Sequence, residues 1–132
     1  MRSEKQIEDS FRRKLISEGW TVEKNHGSLA NFGRPDLHLA HANHGEWWIE
    51  MKKPGGKLGS KQFAWMMKWQ GTIRILVWDT DDVEAFHKQI RPRRGGKNYG
   101  ITQWQPWMTA KQKREAKTGR TSLDDALEEF SA

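Results

Sequence analysis

The sequence predicts one α/β domain in the order helix, strand, strand, strand, helix, strand, helix (αβββαβ(α)), a mixed central sheet flanked by helices, with a basic C-terminal extension. Three observations predict it. Pro35 to His41 and Trp47 to Lys53 alternate around the small, polar Ala42-Asn43-His44-Gly45, as two strands of a hairpin do. Capped segments before and after it, Ile7-Phe11-Leu15 and Phe63 to Trp69, carry apolar residues at helical spacing. The chain of 132 residues is long enough to bury a core, and its lack of cysteine rules out disulfide frameworks and thiolate metal sites.

Each element follows from local signals. Ser3 caps a helix running to about Glu18, Gln6 completes a capping box, and Gly19 stops the helix; Glu4 and Glu8 border its apolar stripe on one side. Trp20 to Lys24 reads as the first strand, and Asn25 to Gly33 as a loop broken by Gly27 and Gly33. The hairpin comes next. Pro54-Gly55-Gly56-Lys57-Leu58-Gly59 is a flexible basic loop, after which Ser60 is expected to cap a helix ending at Gly71, with Gln62 in its first turn. That helix is apolar around much of its circumference, which suits burial or a subunit interface. Thr72 to Trp78 is the fourth strand, with Ile73, Ile75 and Val77 on one face. Thr80 is expected to cap a helix with Asp81, Asp82 and Glu84 in its first turn and Lys88 and Arg91 at its far end, in agreement with the helix dipole. The core domain is expected to span residues 1–90. Arg91-Pro92-Arg93-Arg94-Gly95-Gly96-Lys97 breaks the pattern. Residues 91–132 then read as a basic linker, a Trp104 and Trp107 segment, a basic helix near Thr109 to Lys117, and an acidic helix from Leu123 to Phe130 capped by Ser122.

The formal charge of +6 is uneven: residues 91 to 120 hold 9 basic and 1 acidic side chains, against 14 and 12 in residues 1 to 90 and 0 and 4 in residues 121 to 132. A block of this kind suits a polyanion partner, the alternative being a solvated tail. Most of the 8 tryptophans belong in the core or on the hairpin face, which leaves a few as nucleobase platforms. No apolar run approaches membrane-spanning length, and the N-terminus lacks the apolar stretch of a signal peptide, so the protein is expected to be soluble and intracellular.

The hairpin concentrates the chemistry. Thirteen residues separate Asp36 from Glu50, and a turn centred on Asn43 sets the two carboxylates directly across from each other, with Cβ atoms roughly 4.5 to 5.5 Å apart. Like charges at that distance repel. A hard divalent cation with oxygen ligands removes the conflict. Lys52 falls on the same face, roughly 6.6 to 6.8 Å further along, within reach of a phosphate or an attacking water. Leu37, Leu39, Ile49 and Met51 take the opposite face, which is therefore expected to be core. Asp36 and Glu50, with the backbone carbonyl of Met51, are expected to hold Mg²⁺, for which Mn²⁺ can substitute, while Lys52 orients or deprotonates the water. Gln62, near a positive helix N-terminus, is placed to position water or a phosphate. Lys53, Lys57 and Lys61 are expected to contact the DNA backbone, as are Arg93, Arg94 and Lys97 of the tail; Arg34 reads as a phosphate contact or a simple loop charge. His38, His41 and His44 invite a zinc reading by their regular spacing. Strand alternation, however, sends His38 and His41 to opposite faces and leaves His44 in the turn, so solvated or hydrogen-bonded histidines are the simpler account.

Pro-Asp and Glu-x-Lys on one central hairpin, in this element order, resemble the PD-(D/E)XK nuclease superfamily. Glu4-Lys5-Gln6-Ile7, Gly33-Arg34-Pro35-Asp36-Leu37, Glu50-Met51-Lys52, Lys57-Leu58, and Gln62 three residues before Trp65 are similar to one branch of it, the VRR-NUC (virus-type replication-repair nuclease) family. The resemblance covers roughly residues 3 to 90. It implies a restriction-endonuclease-like core and an active site of Glu4, Asp36, Glu50, Lys52 and Gln62, with Glu8 one helical turn from Glu4 as the alternative helix carboxylate. It also implies, through stand-alone viral members, a homodimer acting on branched DNA such as Holliday junctions. Nicking or end- and flap-processing of ordinary DNA is the rival enzymatic reading, and a non-catalytic nucleic-acid-binding module the rival from another class.

Overall fold

The computed structural model describes residues 2–25, 33–91, 100–119 and 121. Arg93, Arg94, Lys97 and the expected helix from Leu123 to Phe130 lie outside the described residues, as does most of the Asn25 to Gly33 loop. Helix α1 (Glu4–Ser17) leads into β1 (Thr21–Lys24), β2 (Leu37–His41) and β3 (Gly45–Met51), then α2 (Ser60–Trp69), β4 (Ile75–Trp78) and α3 (Val83–Ile90). Two short turns of helix, α4 (Ile101–Trp104) and a 3-10 turn (Gln105–Trp107), precede α5 (Ala110–Thr118). The strands form one mixed sheet in the order β1-β2-β3-β4, antiparallel between β1, β2 and β3 and parallel between β3 and β4. This is the expected α/β arrangement, and no helix among the described residues is long and apolar enough to cross a membrane.

Among the described residues the helix signals hold, with two caps displaced. Ser3 and Gln6 close the capping box on α1. Gly59 rather than Ser60 is the N-cap of α2, because Gln62 reaches back with its side-chain oxygen to the Gly59 N–H at 2.9 Å and needs no hydroxyl partner. Asp82 rather than Thr80 caps α3, since its carboxylate takes the Ala85 N–H at 2.9 Å, while the Thr80 hydroxyl accepts from the Asp82 N–H. Asp81 is spent between elements: it accepts from Arg2, from the Ser10 hydroxyl at 2.6 Å and from Lys14, tying α1 to the start of α3.

Two apolar layers enclose the sheet. On one side Ile7, Phe11 and Leu15 of α1 and Val83, Phe86 and Ile90 of α3 pack on Leu37, Leu39, Trp47, Ile49, Met51 and Leu76. On the other side Phe63 and Met66 of α2, with Leu58, Trp104 and Met108, pack on Ile75 and Val77. Residues 100–119 thus fold back over the sheet. Gln103 clamps the outer edge of β4, its amide donating to the Val77 carbonyl at 2.6 Å and accepting the Val77 N–H at 2.8 Å, and the Trp104 indole donates to the Ile75 carbonyl. An edge strand whose backbone groups are answered in this way is a poor template for another strand.

The hairpin tip is held by a histidine cluster that sequence spacing does not reveal. Trp20 is buried against His41, His44 and His87, with His44 and His87 ring centroids 4.5 Å apart and His41 and His44 4.7 Å apart. His87 accepts the Trp20 indole N–H at 3.0 Å, so it is neutral there. Burial holds His44 and His87 below the ordinary imidazole range; His41 and His87, then Arg91, oppose a proton on His44, while Glu18 partly favours one on His87. A depressed native pKa means the unfolded chain binds protons first, so this stability is complete above the ordinary histidine value and is lost as pH falls from there through the depressed one. A melting series from pH 7.5 to 5 is expected to show that loss, and His87→Gln, which can still accept from Trp20, to diminish it; the indole bond alone is worth about 1 kcal/mol.

Candidate active site

Asp36 lies one residue before β2, and Glu50 one residue before the end of β3. Leu37 pairs with Ile49 and His38 with Trp48, so the register that sets Asp36 across from Glu50 is the one the turn composition implies. Glu50 is 1 % exposed because α2 closes over it. Burial pushes its carboxyl well above the usual range; the neighbouring Asp36 carboxylate, within hydrogen-bonding reach, pushes the same way, with a smaller push from Glu4, and Lys52 opposes the shift.

The partners of Glu50 are unevenly distributed. Its Oε2 accepts from Gln62 Nε2 at 2.9 Å and lies 3.6 Å from Lys52 Nζ, whereas Oε1 is buried with no hydrogen-bond partner. Gln62 is therefore locked at both ends, by Glu50 and by the Gly59 N–H. The Met51 N–H donates to Asp36 Oδ2 at 2.9 Å. A strand residue sends its N–H and C=O toward the same neighbour, so the Met51 carbonyl also faces the β2 side. Continuing the register opposes Met51 to Pro35, which has no N–H to offer it. The proline of the motif leaves that carbonyl without a ladder donor.

This donor set fits a hard divalent ion. An unpartnered buried carboxylate oxygen, a second carboxylate beside it and a backbone carbonyl facing the strand that leads from Asp36 are oxygen ligands with surplus negative charge. Among the described residues no three His, Cys, Asp or Glu side chains gather as a complete ligand set. Two carboxylates suffice for Mg²⁺, which keeps several waters and takes substrate oxygens.

The two helix carboxylates reach the site from the opposite layer, around the end of the sheet. Glu8 is buried and paired with Lys24 Nζ at 2.7 Å; burial raises its pKa first, and Asp36 adds to the shift. Glu4 accepts the Lys53 N–H at 3.3 Å and acts electrostatically on Glu50. Glu4 is thus the helix carboxylate beside the Glu-x-Lys strand, and Glu8 is neutralised by Lys24. Arg34, Lys53 and Lys61 are exposed near the site, and the Lys57 ammonium donates to the Pro106 carbonyl at 3.1 Å. Gly33, at φ +74, sits against α2 where any Cβ would collide with the Lys61 carbonyl, which seats the Pro-Asp segment beside the Gln62 turn.

His38 is on the carboxylate face, but its ring stacks on Trp48 at 4.0 Å and its Nε2 meets Glu46 at 2.8 Å. Lys24 and Trp48 join the site without having been expected there from sequence. The alternation that places Glu50 also places Trp48, so that signal was present; the Lys24 to Glu8 pair spans separate elements and had none. Comparison of the chain with protein-family models, with curated proteins and with solved structures returns no match.

Proposed function

We propose that the chain is a metal-dependent DNA endonuclease that hydrolyses phosphodiester bonds, acting on branched DNA such as a four-way junction and working as a homodimer. The observation that carries this reading is the buried Glu50 carboxyl, facing Asp36 with one oxygen unanswered while Lys52 and Gln62 hold the other. Mg²⁺, when bound between Asp36, Glu50 and the Met51 carbonyl, supplies charge neutralisation for the phosphorane-like transition state. The chain's own groups do the rest. Lys52 is 13 % exposed, and its ammonium beside Glu50 can steer the attacking water, or, in its amine form, take the water's proton. Gln62, fixed at both ends, presents a rigid amide to that water or to a phosphate oxygen. Arg34, Lys53 and Lys61 border the site as phosphate contacts that position DNA without reading sequence. The similarity of the Pro-Asp, Glu-x-Lys and Gln segments to VRR-NUC enzymes supports the same reading, and a dimer would supply the two symmetric cuts that a junction needs.

The test is cleavage of single-stranded, duplex, flap and four-way-junction DNA by the purified protein, with light scattering at matched concentration. Cleavage in Mg²⁺ or Mn²⁺, abolished by EDTA and fastest on the junction, is expected. Activity undiminished in EDTA removes the metal. A monomer that cuts linear duplex as fast as a junction leaves only the simpler nuclease, and binding without cleavage under any divalent ion leaves a nucleic-acid-binding module.

A further inference from the structure

Two rows of side chains lead away from the carboxylates and both become aromatic. Along β3, Trp48 precedes Glu50 by two residues on the same face, about 6.6 Å away. Along α2, Trp65 and Trp69 follow Gln62 at i+3 and i+7, one stripe of the helix, reaching about 10 Å from it. The rows meet. His38 stacks on Trp48 with ring centroids 4.0 Å apart, Trp48 lies 5.7 Å from Trp65, and Trp65 stacks on Trp69 at 5.6 Å. The far end stays open to solvent, with Trp69 45 % exposed. Core packing accounts for Phe63 and Met66 on the inner side of α2, and leaves an exposed indole at the end of a stacked row without a structural reason.

We infer that this row is a platform for unpaired nucleobases, so that the substrate is DNA with a single-stranded or splayed segment next to the scissile phosphate. The inference rests on the nuclease reading for the position of the cut, while the surface itself is argued from stacking and charge. Lys61 and Lys68 stand at i−4 and i+3 from Trp65, and Arg34 follows Gly33, where an added Cβ would lie 3.1 Å from Trp65 Cβ, so cations flank the aromatic row where a phosphate backbone would run. Glu46, 58 % exposed beside His38, sets a carboxylate at the other limit, which suits bases there and disfavours phosphates. Intact duplex keeps its bases inside and cannot use such a row. A second copy of the chain, the other occupant to consider, would have to take Arg34, Lys61 and Lys68 out of water.

The test is binding, which does not depend on cleavage. Fluorescence anisotropy with labelled single-stranded, flap and blunt duplex oligonucleotides, in Ca²⁺ to prevent turnover, is measured for the protein, Trp69→Ala and Trp69→Phe. Loss of one base stack is expected to weaken single-stranded and flap binding by roughly 5- to 150-fold. Duplex binding should change less than twofold, and Trp69→Phe should restore most of the loss. Equal loss on duplex, no loss, or a change of oligomeric state in Trp69→Ala overturns the platform. If the Trp69 contrast holds in a protein that no divalent ion activates, the nuclease reading fails and the base platform stands.

Discussion

Glu50→Gln is expected to abolish cleavage and, in the same protein, to raise the melting temperature without metal. Loss of a carboxylate from the centre should lower the rate by about 10²–10³-fold or more, as removal of one transition-state stabilising group does. The stability gain has a separate origin. Glu50 is 1 % exposed, faces Asp36 and has one oxygen with no partner, so its ionised form is disfavoured and its carboxyl titrates well above the ordinary 4.5. A raised native pKa means the folded protein binds the proton more tightly than the unfolded chain. Stability without metal is therefore full below the ordinary value and falls as pH rises through the raised one. Glutamine removes this titration, and at pH 8 a gain of about 1–3 kcal/mol is expected, about 3–10 °C in Tm. Mg²⁺ should stabilise the parent protein and have little effect on Glu50→Gln. Equal Mg²⁺ shifts in the two proteins, or a variant that still cuts DNA, would refute a metal held by this pair. Asp36→Asn should lose cleavage likewise while keeping DNA binding, since one repulsive charge toward phosphate is gone.

Trp104→Ala is expected to cost about 3–5 kcal/mol, enough to take much of a domain's margin. Trp104 is 0 % exposed, its indole donates to the Ile75 carbonyl at 3.1 Å, and it lies in the layer formed with Leu58, Phe63, Met66 and Met108. Its removal also loosens the Gln103 clamp on β4, the strand paired with β3 where Glu50 sits. Chemical denaturation is the measurement. A change under about 1 kcal/mol would mean that residues 100–119 fold independently of the sheet. A chain cut after Ile90 loses the same buried groups, so the tail's share of DNA affinity is better read by neutralising Lys111, Lys113, Arg114 and Lys117. Every cation among these four that meets a phosphate should, once neutralised, lower the salt slope for duplex DNA by about 0.9.

The alternation from Pro35 to Lys53 contains the hairpin, its register and the Asp36 to Glu50 opposition, because strand faces repeat every two residues and the small polar turn leaves little freedom in pairing. Ile7, Phe11 and Leu15 were legible as a buried stripe for the same kind of reason, a period of 3.6. The cap of α2 falls one residue before the expected Ser60. Ser60 has the better side chain for a cap, but Gln62 bonds the Gly59 N–H while its other end holds Glu50, and that second contact is tertiary.

Local order, the capping box of α1, strand faces and the pairing of two carboxylates were determined by the sequence alone, since each depends on residues within about twenty positions of one another. Only the tertiary structure decided that Lys24 neutralises Glu8, that His87 joins His41 and His44, and that Trp104 closes the edge of β4. It also decided that α2 buries Glu50 deeply enough to leave one oxygen unanswered. Those contacts join elements far apart in the chain, where periodicity carries no information about which faces meet. The strength of each contact, and the cost of the unanswered oxygen, follows from exclusion of water, which no single segment can achieve by itself.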